Sequence, residues 1–87
     1  MVPPAYTVRG KVVWFDKHAG DGMNAERPPI SVEEVIATLR HPDHRERQRK
    51  HREKRIRWIG TRSVIVYADE TEDEIYVRSV SASRRRL

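Results

Sequence analysis

The sequence predicts a small α+β domain: an antiparallel sheet, built from an N-terminal strand and a C-terminal three-stranded meander, packed by two short N-terminal helices. Three observations carry this. The β-branched and aromatic runs at 55–60, 61–68 and 75–84 are separated first by Gly60 and then by an acidic stretch, the punctuation of a meander. A further run of the same kind covers residues 6–15. Between the runs, Ser31-Val-Glu-Glu opens a segment with Val32, Val35, Ile36 and Leu39 at helical spacing.

Size and charge bound the rest. With 87 residues the chain has room for one domain, 1–87, and one modest core. It carries 18 Lys and Arg against 13 Asp and Glu, a formal net charge of +5, which favours a polyanionic partner such as nucleic acid. There is no cysteine, so neither a disulfide framework nor a thiolate metal site can form. No apolar run approaches the roughly 20 residues a membrane span needs, and the N-terminus has no signal-peptide core. These features predict a soluble, cytoplasmic protein without a membrane partner.

Taken in order, residues 1–5 are a proline-containing lead-in expected to fray. Residues 6–15 read as one strand with Val8, Val12 and Trp14 on one face and Arg9, Lys11 and Val13 on the other, locally weakened or bulged at Gly10. Asp16 can cap a short helix starting at Lys17-His18-Ala19. Gly20 and Gly22 make that helix poor, so one or two loose turns are expected before Pro28-Pro29. In the next helix Ser31 is the N-cap and Glu34 the third residue of a capping box. Pro42 disfavours helix at His41, so this helix covers 32–40.

From His44 to Arg57 the chain holds eight Lys and Arg, two acids (Glu46 and Glu53) and no large apolar residue before Ile56. Nothing there can bury a face. The spacing of Glu46 to Lys50 and of Glu53 to Arg57 allows a helix, while a loop or solvated edge strand is equally compatible. Residues 44–55 are therefore read only as a basic arm. In the meander, Val64 and Val66 face one way and Ile65 and Tyr67 the other. Residues 69–74, with five acids in six positions, form an acidic hairpin loop. Val80 breaks the alternation of Ile75 and Val77, and a bulge near Ser79 returns it to the core. Trp14 and Trp58 are assigned to the core.

The order of Phe15, His18, Arg27, Ile30-Ser-Val-Glu-Glu-Val35, His41-Pro-Asp43, Ile59-Gly60, the strand 64–67 and Arg78-Ser-Val-Ser-Ala-Ser-Arg84 resembles the small BrnT-like proteins and allied uncharacterised domains. The one departure is the first helix, His18-Ala-Gly-Asp-Gly-Met23, where such proteins are usually rich in Arg and Glu. The group is similar to RelE-like toxins of bacterial toxin–antitoxin pairs. The resemblance implies a compact sheet backed by two helices, cleavage of RNA, and a cognate antitoxin as partner.

Metal-independent RNA cleavage needs a base for the 2′-hydroxyl, cations for the phosphorane and an acid for the 5′-oxygen. Arginine suits the middle role, because its planar fork binds phosphate bidentately and keeps its charge. Arg78 and Arg84, by their place in the sheet and in the family-like motif, are the first candidates, followed by Arg27 and Arg62. His18 is the candidate acid or base, against the alternative that it orients the first helix. Tyr67 can donate a proton, and Tyr67 and Tyr76 can stack on bases or simply pack. Arg47, Arg49, Lys50 and Arg52, with Arg85, would grip RNA backbone or meet an acidic antitoxin. His41, His44 and His51 are crowded by arginines, so they read as basic surface and no metal or other cofactor is expected. The function read from these residues is an RNA-cleaving toxin. Its alternatives are a non-catalytic nucleic-acid-binding module of the same fold and a basic protein-interaction domain.

Overall fold

The computed structural model describes residues 6–87; the expected fraying of residues 1–5 lies outside the described residues. The order of elements is β1 (Thr7–Val8), β2 (Lys11–Phe15), α1 (Lys17–Ala25), α2 (Val32–Arg40), β3 (His44–Arg47), β4 (Arg52–Ile59), β5 (Arg62–Glu70) and β6 (Glu74–Ser83). The strands form one sheet in the order β1-β2-β6-β5-β4-β3. Both helices lie on one face of it. The α+β class is as expected, but the sheet is mixed and six-stranded rather than antiparallel and four-stranded. β2 pairs with β6 in parallel, Val13 opposite Ile75 and Phe15 opposite Val77. Local alternation of side chains does not encode strand direction. Here two helices, not a hairpin, lead away from β2, and that allows parallel pairing.

The expected single strand at 6–15 is instead a tight hairpin. Arg9 (φ 53°) and Gly10 (φ 76°) both occupy the left-handed region, the requirement of a two-residue turn whose twist matches the strands it joins. The turn changes which residues share a face. Val8 and Val13 enter the core at 0% and 2% exposure, whereas Val12 and Trp14 take the other side. Trp14 is thus not a core residue; its indole Nε1 donates to Glu74 at 2.7 Å.

Asp16 caps α1 as its spacing predicts, accepting from the Ala19 amide at 2.9 Å. The helix is longer than expected, because Gly22 has a purpose that outweighs its poor propensity. A Cβ there would run into the carbonyl oxygen of Val80, so glycine lets the backbone of α1 lie directly on β6. The α2 boundaries and the reciprocal Ser31–Glu34 capping box match the reading of the sequence. Val35, Ile36 and Leu39 of α2 pack with Met23 of α1, Ile30, and Val64, Val66, Ile75, Val77 and Val80 of the sheet. This single cluster is the driving force of the fold, each fully buried aliphatic side chain contributing about 1.5–3 kcal/mol.

The basic arm is a β-hairpin. His44 pairs with Ile56, Arg45 with Arg55, Glu46 with Lys54 and Arg47 with Glu53. Opposite charges meet at Glu46–Lys54 and Arg47–Glu53, and Glu53 offsets the facing Arg45 and Arg55 by accepting from both, at 3.1 and 2.9 Å. Cross-strand pairing thereby replaces the helical pairs that the spacing also allowed. The acidic loop is shorter than its composition suggests: Asp69 and Glu70 complete β5 and Glu74 begins β6. Among the described residues, no helix is long and apolar enough to cross a membrane.

Candidate nucleic-acid interface

The expected bulge in β6 is present and it displays Arg78. Tyr67 pairs with Ser79 while the next residue, Ala68, pairs with Val77, so Arg78 is the extra residue. Removing one residue from the count restores the alternation, and Val80 returns to the core at 3% exposure. A bulge also re-aims the side chain it carries. Arg78 lies over the ring of Tyr76, 5.3 Å from its centroid, on the sheet face opposite the helices.

Its guanidinium is held there by two carboxylates. Arg78 Nε donates to Asp69 Oδ2 at 2.9 Å, and Nη1 is 3.6 Å from Asp16 Oδ2. Asp16 is the same residue that caps α1, so helix and bulge are tied through one side chain. Arg52 engages Asp69 bidentately, at 2.7 and 3.0 Å. The hydrogen bond from Arg52 does most to hold the Asp69 carboxyl at about 2; Arg78 adds to it, and both outweigh desolvation. With 43% of its side chain exposed, Arg78 is anchored at one edge and accessible at the other.

Arg52, Asp69, Tyr76 and Arg78 form part of the lining of a concavity of about 410 Å³, completed by Thr71 and by Arg49, Lys50 and His51 from the β3–β4 turn. Four cations face one carboxylate there. On the helix-bearing face, behind the same turn, a second concavity of about 270 Å³ is built around Glu70. Glu70 accepts from Arg9 (2.8 Å), Lys11 (2.7 Å) and Arg55 (2.7 Å). Burial alone would raise its carboxyl, but the hydrogen bonds from Lys11, Arg9 and Arg55 bring it down to about 2. Arg45 and Arg47 border this hollow as well. The two hollows share Lys50, His51 and Arg52 and together hold nine cations against Glu53, Asp69 and Glu70. Positive charge is therefore concentrated around the β3–β4 turn, where the cations lining the two hollows outnumber the acids by six.

The residues predicted from sequence do not gather in one place. Arg78, Arg49, Lys50 and Arg52 converge on the larger concavity, and Arg47 borders the smaller. Arg84, Arg27 and Arg62 meet at the far end of β5 and β6, around a hollow of about 90 Å³. There Arg84 donates to the Arg27 carbonyl at 3.3 Å, and Arg27 donates to the carbonyls of Asn24 and Glu26. Arg62 is turned inward at 7% exposure, bonded to the Pro28 and Pro29 carbonyls and to Glu34, so its guanidinium braces the loop between the helices. Arg85 is exposed beyond β6, and its carbonyl accepts from Ser63. Tyr67 stands on the face opposite the helices with Lys54 Nζ 5.7 Å from its centroid, one cross-strand row from Asp69 and outside the concavity. His18 is exposed in the first turn of α1 and does not line the concavity.

The histidine that does line it is His51, which sequence reasoning placed in the general basic surface. Asp69 and Asp16 are the other participants missed, while Tyr76, read from the sequence as a base-stacking or packing residue, lines the hollow as well. One signal was available for Asp69. The alternation of Val64, Val66 and Ala68 continues in register through 69 and 70, which extends the strand and sends the two acids to opposite faces. Among the described residues, no group of three or more His, Asp or Glu is placed to hold a metal ion. The sequence matches no protein-family model, and neither curated proteins nor solved structures provide a match.

Proposed function

We propose that this protein is a cytoplasmic RNA-binding endoribonuclease, the toxin of a toxin–antitoxin pair, with its site in the concavity around Arg78. The observation that supports this is the convergence of Arg52 and Arg78 with His51, Lys50 and Arg49 in a single hollow. Carboxylates fix the first two arginines, so little reorganisation is needed when a phosphate arrives. The resemblance of the sequence motifs to BrnT-like proteins points the same way.

In this reading His51 takes the proton of the 2′-hydroxyl, since histidine is the side chain suited to proton transfer near neutral pH. The 2′-oxygen attacks phosphorus while Arg52 and Arg78 stabilise the dianionic phosphorane. The 5′-oxygen leaves with a proton from Lys50 or solvent, and a 2′,3′-cyclic phosphate remains. His18 then serves α1, and Tyr67 serves binding rather than proton transfer.

Inducible expression of wild type beside Arg78→Ala, with growth and total RNA integrity followed, tests the cellular reading. Growth arrest with RNA cleavage, lost in the variant, is expected. With purified protein in chelator, His51→Ala should slow cleavage at least 100-fold and leave RNA affinity within about threefold. If His18→Ala abolishes cleavage and His51→Ala does not, the site belongs at the start of α1. RNA binding without cutting by the wild type would leave a non-catalytic binding module.

A further inference from the structure

The sheet face turned away from the helices continues beyond the concavity. Residues paired across strands share a face, so the register arranges this side in rows. Trp14, Tyr76, Asp69 and Arg52 make the first. Ser79, Tyr67 and Lys54 make the second, and Ser81, Ile65 and Ile56 the third. The last holds Ser83, Ser63 and Trp58, and here the C-terminal residues close over Ser63, whose hydroxyl donates to the Arg85 carbonyl and accepts from the Leu87 amide. On β6 the outward positions after the bulge are thus Ser79, Ser81 and Ser83, while Val80 and Ala82 turn to the core. Small hydroxyls along the middle, with rings beside them, give a trough instead of an apolar surface for another helix.

Three cations lie over the rings of this face. Arg78 is 5.3 Å from the centroid of Tyr76, Lys54 5.7 Å from Tyr67 and Arg86 5.7 Å from Trp58. The eight residues from Tyr76 to Ser83, one of them the bulge, span roughly 20 Å at the usual strand rise.

We infer that this face is a stacking platform for an unpaired RNA strand, running from the Arg78 concavity towards Trp58. The chemistry favours an unpaired strand over a duplex. A tyrosine or tryptophan ring can stack on any base whose π face is free, the cation now over the ring moving off it to the neighbouring phosphate. In a duplex the base faces are already stacked on one another, and only phosphates and groove edges remain. The hydroxyls of Ser79 and Ser81 in the trough can hydrogen-bond the 2′-hydroxyls that such a strand presents. The inference rests on the proposal that the protein binds RNA, and it specifies the class of RNA.

The test uses the full chain, a fluorescein-labelled 12-nucleotide single-stranded RNA, and the same sequence as a blunt RNA duplex, at equal salt. The single strand should bind at least tenfold more tightly and quench tryptophan fluorescence. Tyr67→Leu, which keeps apolar bulk in the strand and removes the π face, should weaken single-strand binding about tenfold. Tyr67→Phe should leave it unchanged. Equal affinity for the two RNAs, or full affinity in Tyr67→Leu, would overturn the platform while RNA binding stands. Failure of both RNAs to bind at about 0.1 M salt would overturn RNA binding itself, and the platform with it.

Discussion

Two glycines in one short helix make opposite predictions. Gly20 has open space where a Cβ would stand, whereas Gly22 faces the Val80 carbonyl. Alanine in a helix interior is worth about 1 kcal/mol over glycine, so Gly20→Ala should raise stability by up to that amount. At Gly22 the same propensity gain is opposed by backbone overlap, and overpacking of this kind costs typically 1–3 kcal/mol. We expect Gly22→Ala to lower stability by about 1 kcal/mol, moving the melting temperature down by roughly 4–8 °C. Thermal unfolding of the two variants decides it, and stabilisation by both would mean that α1 does not rest on β6 as described. From sequence the two glycines are indistinguishable. Each reads as a poor helix former, because the reason for Gly22 lies 58 positions away in the chain, at Val80.

At the level of elements, what was legible was whatever short-range spacing encodes. The Ser31 capping box, the Asp16 cap, the outward and inward parity of residues 64–67 and the bulge near Ser79 all follow from patterns within a few residues. Two things were not local. One was the parallel union of β2 with β6, which brings Asp16 to Arg78. The other was the folding of the basic arm into a hairpin whose turn delivers His51 to the same place. The candidate site therefore had its arginines in view but not the histidine beside them. The bulge itself can be tested by deletion. Without Arg78, Val77 and Ser79 become neighbours in a regular ladder, and Asp69 retains Arg52. That variant should stay folded within about 1.5–3 kcal/mol, the range of a lost charged hydrogen bond, but lose the RNA cleavage proposed for this site. Deleting Ser79 instead leaves an arginine in a regular outward position. Circular dichroism should show a folded protein, and cleavage should fall at least tenfold if the bulge aims Arg78. Wild-type cleavage by the Ser79 deletion would show that aiming by the bulge is unimportant.

Across the whole molecule, adjacent carboxylates at the end of β5 hold the basic end together from both sides of the sheet. Asp69 gathers Arg52 and Arg78 on the open face, and Glu70 gathers Arg9, Lys11 and Arg55 on the helix face. Both carboxyls lie at about 2 in the folded protein, below their ordinary values of 3.8 and 4.5. The sign follows from linkage. Between these two ranges the unfolded chain binds more protons than the folded one, so stability rises with pH there. The contribution of the two acids is complete above about pH 5 and is lost as pH falls from about 4.5 to about 2. Each is worth on the order of 2 kcal/mol, allowing for screening of partly exposed pairs. Protonation does more than remove two attractions, since it also leaves the crowded cations around them to repel one another. Urea unfolding followed from pH 7 to pH 2 should therefore show a midpoint that holds to about pH 5 and then falls steeply. In Asp69→Asn/Glu70→Gln the midpoint should start lower at pH 7 and change less across the same window. A wild-type midpoint unchanged between pH 5 and pH 3 would show that the two carboxylates do not hold the cationic end together. The ion pairs that hold Arg78 in place would then contribute little to the stability of the sheet.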